Sequence, residues 1–333
     1  MRNLSSTDNR NKKVGFFQGK EWCIALEKNF GYKIYYLESR KSAFPVALVR
    51  SRIFGNRLVS LPFSDSSGPY GTPEDVDLLL KKLVAVSETE DIDFVEVRDP
   101  GKIYYSLFEK HGFIKRDDYV TFVIDLKNKE ETLLQNMEKR VRNDINKSGR
   151  SGLKIIEATS KEHLHSFYSI YSKTMKRLGS PPQSFRFFFS IWNMFDEGGR
   201  IKIYLVEHEK KYIAGGLFIY DKKSIHYSYG CSLSSYSRLR APDFLIWHVI
   251  SKGIKEGFES FCFGRTRRDS GVFKYKKGWG GELKVTPYFY LFKNKILDQR
   301  QETKYKHFSR LWARYMPESI AKLVGPWLIR QIG

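Results

Sequence analysis

Twice along the chain, strand-like runs and amphipathic helical runs alternate in a similar order. "KIYYLES" (33–39) and "AFPVALVRSRIFGNRLVSLPF" (43–63, broken by a Phe-Gly-Asn turn) read as strands. A loop of turn formers at 64–71 leads into a helix over 73–88. Pro73 stands near its start, Glu74 and Asp75 fill its first turn, and Val76, Leu79, Leu80, Leu83 and Val84 make one apolar stripe. A strand at 93–98, a short helix at 101–113 and a strand at 119–126 complete an α/β unit, and a charged helix over 129–147 follows. The second unit runs from a strand at 153–158 through helices at 160–179 and within 180–195 to a three-strand meander over 200–232. A helix at 242–256 and strands at 258–264 and 285–292 close it. This alternation restricts the chain to an α/β fold of two similar halves, with no short-period repeat.

The 333 residues, 41% apolar and 15% aromatic, suffice for two packed cores and exclude a disordered chain. The expected domains are 1–150 and 151–292, followed by a helical tail over 293–333. That tail carries two apolar stripes: Phe308, Leu311, Trp312 and Tyr315, then Ile320, Leu323, Val324, Trp327 and Leu328. They could dock the tail back on the first domain. Their basic flanks also fit a cationic helix lying on a membrane surface.

A formal charge of +21 points to anionic partners. Cys23, Cys231 and Cys262 lie far apart in an odd count, which argues against a disulfide framework or a zinc site and fits a reducing, cytoplasmic compartment. Residues 1–17 lack the apolar centre of a secretory signal, and no run approaches the length of a membrane span.

Most familiar catalytic signatures are missing: there is no GxSxG, HExxH, Walker A or GxGxxG. His163 and His165, two residues apart on a helix, point to different faces and do not form a shared ligand pair. Cys231 could be a nucleophile near His226, but a small buried side chain is its favoured role. No metal site is expected. Two stretches can meet an anion. In "SRLRAPDFLIW" (237–247), Arg238 and Arg240 precede a helix whose N-terminus offers unpaired N–H groups; an ordinary helix start fits equally. In "FCFGRTRRDSGVFKYKKGWGG" (261–281), Arg265 follows a buried strand, and Phe273 and Tyr275 alternate with Lys274 and Lys276. That alternation gives an aromatic and a basic side, fit for a site wall or, less well, for stacking single-stranded nucleic acid.

The run from "GGLFIY" through "IHYSYGCS", "YSRLRAPDFLIW" and "FCFGR" to "FKYKKGWGG" resembles FemAB-type proteins, relatives of the peptidoglycan bridge aminoacyltransferases. "LPFSDSSGPYG", "KRVRNDINKSGRSGLKI" and "RLGSP" extend the resemblance over roughly 44–330, with exopolysaccharide- or exosortase-associated FemAB-like proteins as the most similar subgroup. The resemblance implies two tandem GNAT-like (N-acetyltransferase-like) domains, each a mixed sheet with flanking helices. It implies acyl or aminoacyl transfer to an amine in cell-envelope or exopolysaccharide synthesis. The donor would be acyl-CoA or aminoacyl-tRNA, with no tightly bound cofactor, and the acceptor lipid-linked or an amino sugar. The place would be the cytoplasm, peripheral to the inner face of the membrane. Lys276 falls on the lysine implied to lie near the acyl carbonyl. Arg265, Tyr275 and Tyr229, the last from the Tyr-x-Tyr-Gly strand, join Arg238 and Arg240 as substrate-binding candidates.

Three departures stand out. Cys262 replaces the aspartate of the family's Phe-Asp-Phe-Gly-Arg run, which excludes an acidic role there. Asp65 and Asp75 flank "GPYG" without matching the acid some members carry in that loop. The long helical arm of some tRNA-using members has no room between 156 and 290. Together with the basic tail, the missing aspartate also supports a different reading: a nucleic-acid or membrane-surface binding protein whose catalytic centre has decayed.

Overall fold

The computed structural model describes residues 15–52, 54–196, 198–293 and 308–333; the N-terminal stretch judged for a signal, up to residue 14, and the first part of the tail lie outside them. The elements begin with α1 (Lys20–Phe30), β1 (Lys33–Ser39), β2 (Ser42–Val49), β3 (Arg57–Val59), α2 (Pro73–Thr89), β4 (Phe94–Arg98), α3 (Tyr105–Lys110), β5 (Ile114–Arg116) and β6 (Tyr119–Asp125). Next come α4 (Glu130–Asn136), α5 (Lys139–Gly149), β7 (Lys154–Glu157), α6 (Lys161–Leu178), α7 (Phe185–Asp196), β8 (Ile201–His208), β9 (Lys211–Asp221) and β10 (Ser224–Ser232). The chain continues with α8 (Ala241–Lys255), β11 (Ser260–Cys262), β12 (Thr266–Arg267), α9 (Gly271–Lys277), β13 (Glu282–Val285), β14 (Tyr288–Phe292), a helix over 308–315 (α10) and α11 (Glu318–Ile332).

These elements group into two compact units. The first takes the chain up to Arg116, the strand after Thr286 and Gly333. Its sheet runs β1-β2-β3-β4-β14-β5, with β3 and β4 parallel and the other pairs antiparallel. The Thr72 hydroxyl accepts from the Asp75 N–H and caps α2. The expected stripe Val76, Leu79, Leu80 and Leu83 then packs on Phe44, Val95, Val97, Phe108 and Phe289. Each such aliphatic side chain contributes about 1.5–3 kcal/mol by leaving water.

The second unit holds Asp117–Thr286 and the tail to Ile332. Its eight-stranded sheet runs β12-β6-β11-β10-β9-β8-β7, with β13 also on β6. β10 and β11 are parallel; α8, the connection between them, packs on this sheet and against α5. The division therefore falls after Arg116 rather than at 150. β6, read as part of the first half, is antiparallel to β11, whereas β14, read as closing the second half, is antiparallel to β4.

Two further expectations change. The charged helix of 129–147 is two helices, because Met137 and Glu138 are extended (ψ 150 and 145). The freed Glu138 N–H goes to the Gly278 carbonyl, and Gly280 (φ +73) lies so close to the Asn136 carbonyl that a Cβ would collide with it. In the tail, α11 packs against α6 of its own unit and buries Ala321, Gly325, Leu328 and Ile329. Of the expected stripe, Ile320, Leu323 and Trp327 stay exposed. Gly325 meets Pro182 closely, so the buried face is set by the small residues that let the helix approach.

Candidate functional site

The site begins where two parallel strands part. β10 pairs with β11 at three positions only, Ser224↔Ser260 to His226↔Cys262. Beyond them β10 stays on β9, but its register slips between Tyr227 and Tyr229 and skips Ser228. Such a bulge bends a strand and re-aims its side chains. On the other side the chain leaves β11 through Gly264, whose left-handed φ of +68 turns it away. A cavity of about 530 Å³ opens there. Tyr227, Ser228, Gly230 and Cys231 line it from β10, Arg177 from α6, and Tyr275 and Lys276 from α9; Arg240 and Asp243 line it from the start of α8.

Lys276 is 8% exposed. Its Nζ donates to the carbonyls of Gly264 (2.9 Å) and Arg265 (3.1 Å). The ammonium thus fixes the end of β11, and Thr121 Oγ1 donates to the same Gly264 carbonyl. Burial of Lys276 corrects the strand-like alternation expected for 273–276. The segment is a helix capped by the Ser270 hydroxyl, so Lys276 turns inward while Lys274 and Lys277 stay exposed.

Asp243, in the first turn of α8, is 4% exposed. The Tyr275 hydroxyl donates to its Oδ1 at 3.1 Å. Burial raises the carboxyl to about 6; the Tyr275 hydrogen bond opposes the rise, and the nearby Asp144 charge adds to it. Burial, with Asp243 beside it, drives the Tyr275 phenol well above its usual range. Arg240 is the residue before α8 and adopts left-handed backbone (φ 56). Its Nε is 3.0 Å from Asp144 Oδ1, and Arg140 approaches the other oxygen at 3.6 Å. The helix start read from the sequence as an anion cradle therefore carries a buried acid, and one of its two arginines is already ion-paired.

The core of this unit, residues 135–277, matches the family model described as an acetyltransferase (GNAT) domain. Three solved structures share the fold. "Crystal structure of FemX" is 15% identical, with a TM-score of 0.66 over 88% of this chain and 96% of that one. The C-terminal domain of a putative lysylphosphatidylglycerol synthetase from Agrobacterium fabrum is 12% identical, with a TM-score of 0.62 over 84% and 90%. L-PGS from Bacillus licheniformis is 14% identical, with a TM-score of 0.60 over 90% and 99%. No curated protein matches in sequence. The expected mixed α/β architecture of two sheets with flanking helices is borne out, and the match to the GNAT model lies in the second unit.

The second unit brings Lys276, Tyr275 and Arg240 to one cavity. Arg265 lies outside the lining: its guanidinium sits 5.2 Å from the Tyr119 ring, and its carbonyl accepts from Lys276. Tyr229 packs edge-on against Tyr171 and Phe188, and Arg238 stands exposed on the short turn Ser234–Leu239; neither lines the cavity. Cys231 donates to the Gly215 carbonyl at 3.4 Å, and burial pushes its thiol far above its ordinary value, as suits a small buried residue. Cys262 lies 3.2 Å from Thr121 Oγ1 on paired strand.

Sequence reasoning missed Asp243 and Ser228. Asp243 reads as an ordinary first-turn acid, complementary to the helix dipole. Its signal was an acid inside the otherwise apolar "APDFLIW". Ser228 is placed by a bulge that no local pattern announces. Among the described residues, no three His, Cys, Asp or Glu side chains gather as metal ligands, and no helix is long and apolar enough to cross a membrane.

Proposed function

We propose that the protein is an N-acyltransferase that moves an acyl or aminoacyl group from acyl-CoA or aminoacyl-tRNA to a primary amine in cell-envelope or exopolysaccharide synthesis. The observation that carries the reading is the cavity between the parted strands, with the buried Lys276 ammonium in its wall. FemX and the lysylphosphatidylglycerol synthetases share the fold and supply the envelope context. In the reaction a neutral amine attacks the ester or thioester carbonyl and forms the C–N bond. The C–O or C–S bond breaks, and the alcohol or thiol leaves with the proton given up by nitrogen. Negative charge grows on the carbonyl oxygen between these steps, and a fixed cation in a water-poor wall stabilises it. Lys276 supplies that cation while holding Gly264 and Arg265. Arg177, which is exposed, suits the phosphates of either donor at the cavity mouth. Incubation with acyl-CoA or aminoacyl-tRNA and amino-sugar acceptors, read by mass spectrometry, tests this: an amide product is expected, and its absence with both donor classes refutes it.

The exposed Leu323 (80%) and Trp327 (59%), close to Lys322 and Arg330 on α11, favour an accompanying contact with an anionic membrane surface. Co-sedimentation with phosphatidylglycerol vesicles should fall when both apolar residues become Ser; unchanged sedimentation removes this part.

A further inference from the structure

We propose that the cavity holds a subsite for a primary ammonium group, built on the Asp243 carboxylate and oriented by Tyr275. This rests on the acyltransferase reading and adds what the site selects.

A carboxylate 4% exposed is costly unless a cation or several donors compensate it. Among the described residues Asp243 accepts one side-chain hydrogen bond, from a neutral phenol. Two arginines near it, Arg240 just before α8 and Arg140 on α5, are both paired with Asp144. The Lys276 ammonium, in the same lining, is directed to two backbone carbonyls. The acid thus faces a cavity whose other charged groups are committed elsewhere or exposed at its mouth.

Geometry adds a second polar atom. Ser228 Oγ, on a lining residue placed by the bulge in β10, is buried and has no hydrogen-bond partner among the described residues. A buried hydroxyl left unmatched costs about 1–3 kcal/mol, and this one belongs to a residue of the cavity wall. An ammonium has three donors and no acceptor, which the two oxygens of a carboxylate can receive. An anion would be repelled by the same acid.

Two chemical sources carry such a group: the α-amine of an aminoacyl donor, or the acceptor amine before it loses its proton. Titration of the whole protein with ethylammonium, followed by NMR, is the primary test. Binding should be saturable and should weaken about tenfold or more in Asp243→Asn, the loss expected for one charge-assisted hydrogen bond. Tyr275→Phe, which keeps the acid, should weaken it less. Folding of both variants is checked by thermal unfolding. The second arm compares 3′-deoxy-3′-glycylamidoadenosine with its acetamido analogue, which lacks only the amine. Asp243-dependent preference for the glycyl compound, with exclusion of ethylammonium, assigns the subsite to the donor. Ethylammonium bound together with either compound assigns it to the acceptor. Ethylammonium that does not bind, or binds equally to folded Asp243→Asn, overturns the subsite. Neither arm needs turnover, so a protein that binds ammonium yet transfers no acyl group overturns the proposed function alone.

Discussion

Replacing Asp243 by Asn should make the protein more stable, and only above a definite pH. The carboxyl rises from its ordinary 3.8 to about 6, mainly through burial. At about 1.36 kcal/mol per pH unit, its ionised form costs the folded state roughly 3 kcal/mol. The sign follows from proton binding: a carboxyl with a folded pKa above its unfolded one holds its proton more tightly when folded. The cost is absent below 3.8, grows as pH rises, and is complete above about 6. Asn is nearly isosteric, and its carbonyl can still accept from Tyr275. Thermal unfolding of Asp243→Asn beside the native protein, from about pH 5 to pH 8, should show a difference that widens with pH. At pH 8 it should reach about 6–12 °C. A variant less stable than the native protein at pH 8, or a difference flat with pH, refutes the reasoning. Stability given up at one buried acid in a cavity is the usual mark of a site kept for function.

Other changes separate packing from chemistry. Gly280→Ala meets both a left-handed backbone and the Asn136 carbonyl, and should lose about 2–4 kcal/mol in urea unfolding. Cys231→Ala should keep transfer activity at a cost near 1 kcal/mol in stability, because a thiol buried and raised this far is no thiolate; loss of all product would make it the nucleophile after all. Ser228→Ala removes an unmatched buried hydroxyl, so its melting temperature should hold or rise while the apparent affinity for the amine-bearing substrate falls.

Elements whose burial follows a local period were legible in the sequence. The helix from Pro73 declared itself through Pro73, its acidic first turn and its leucine stripe, and the meander from Ile201 through its strand-like runs and its two tight turns. What failed was long-range. Nothing near Tyr119 says that its strand joins β11, and nothing near Tyr288 says that its strand returns to β4, because strand pairing is set by the whole sheet. The break at Met137 is likewise made by Gly278 and Gly280, some 140 residues away. Of the residues that the resemblance named, Lys276 and Tyr275 lie in the cavity wall. The resemblance also drew in Tyr229 and Arg265, whose side chains pack on aromatic rings. Asp243 was hidden because a first-turn acid is ordinary until its burial is seen.

The central claim is that the cavity between β10 and β11 performs acyl transfer with Lys276 in its wall. Lys276→Met keeps the length and apolar stem of the side chain and removes the ammonium. Product formation per minute, measured by mass spectrometry with the donor that supports it, should fall about a hundredfold or more, the scale of losing one oxyanion-stabilising group. The variant should still unfold cooperatively. An unchanged rate in folded Lys276→Met would contradict the account.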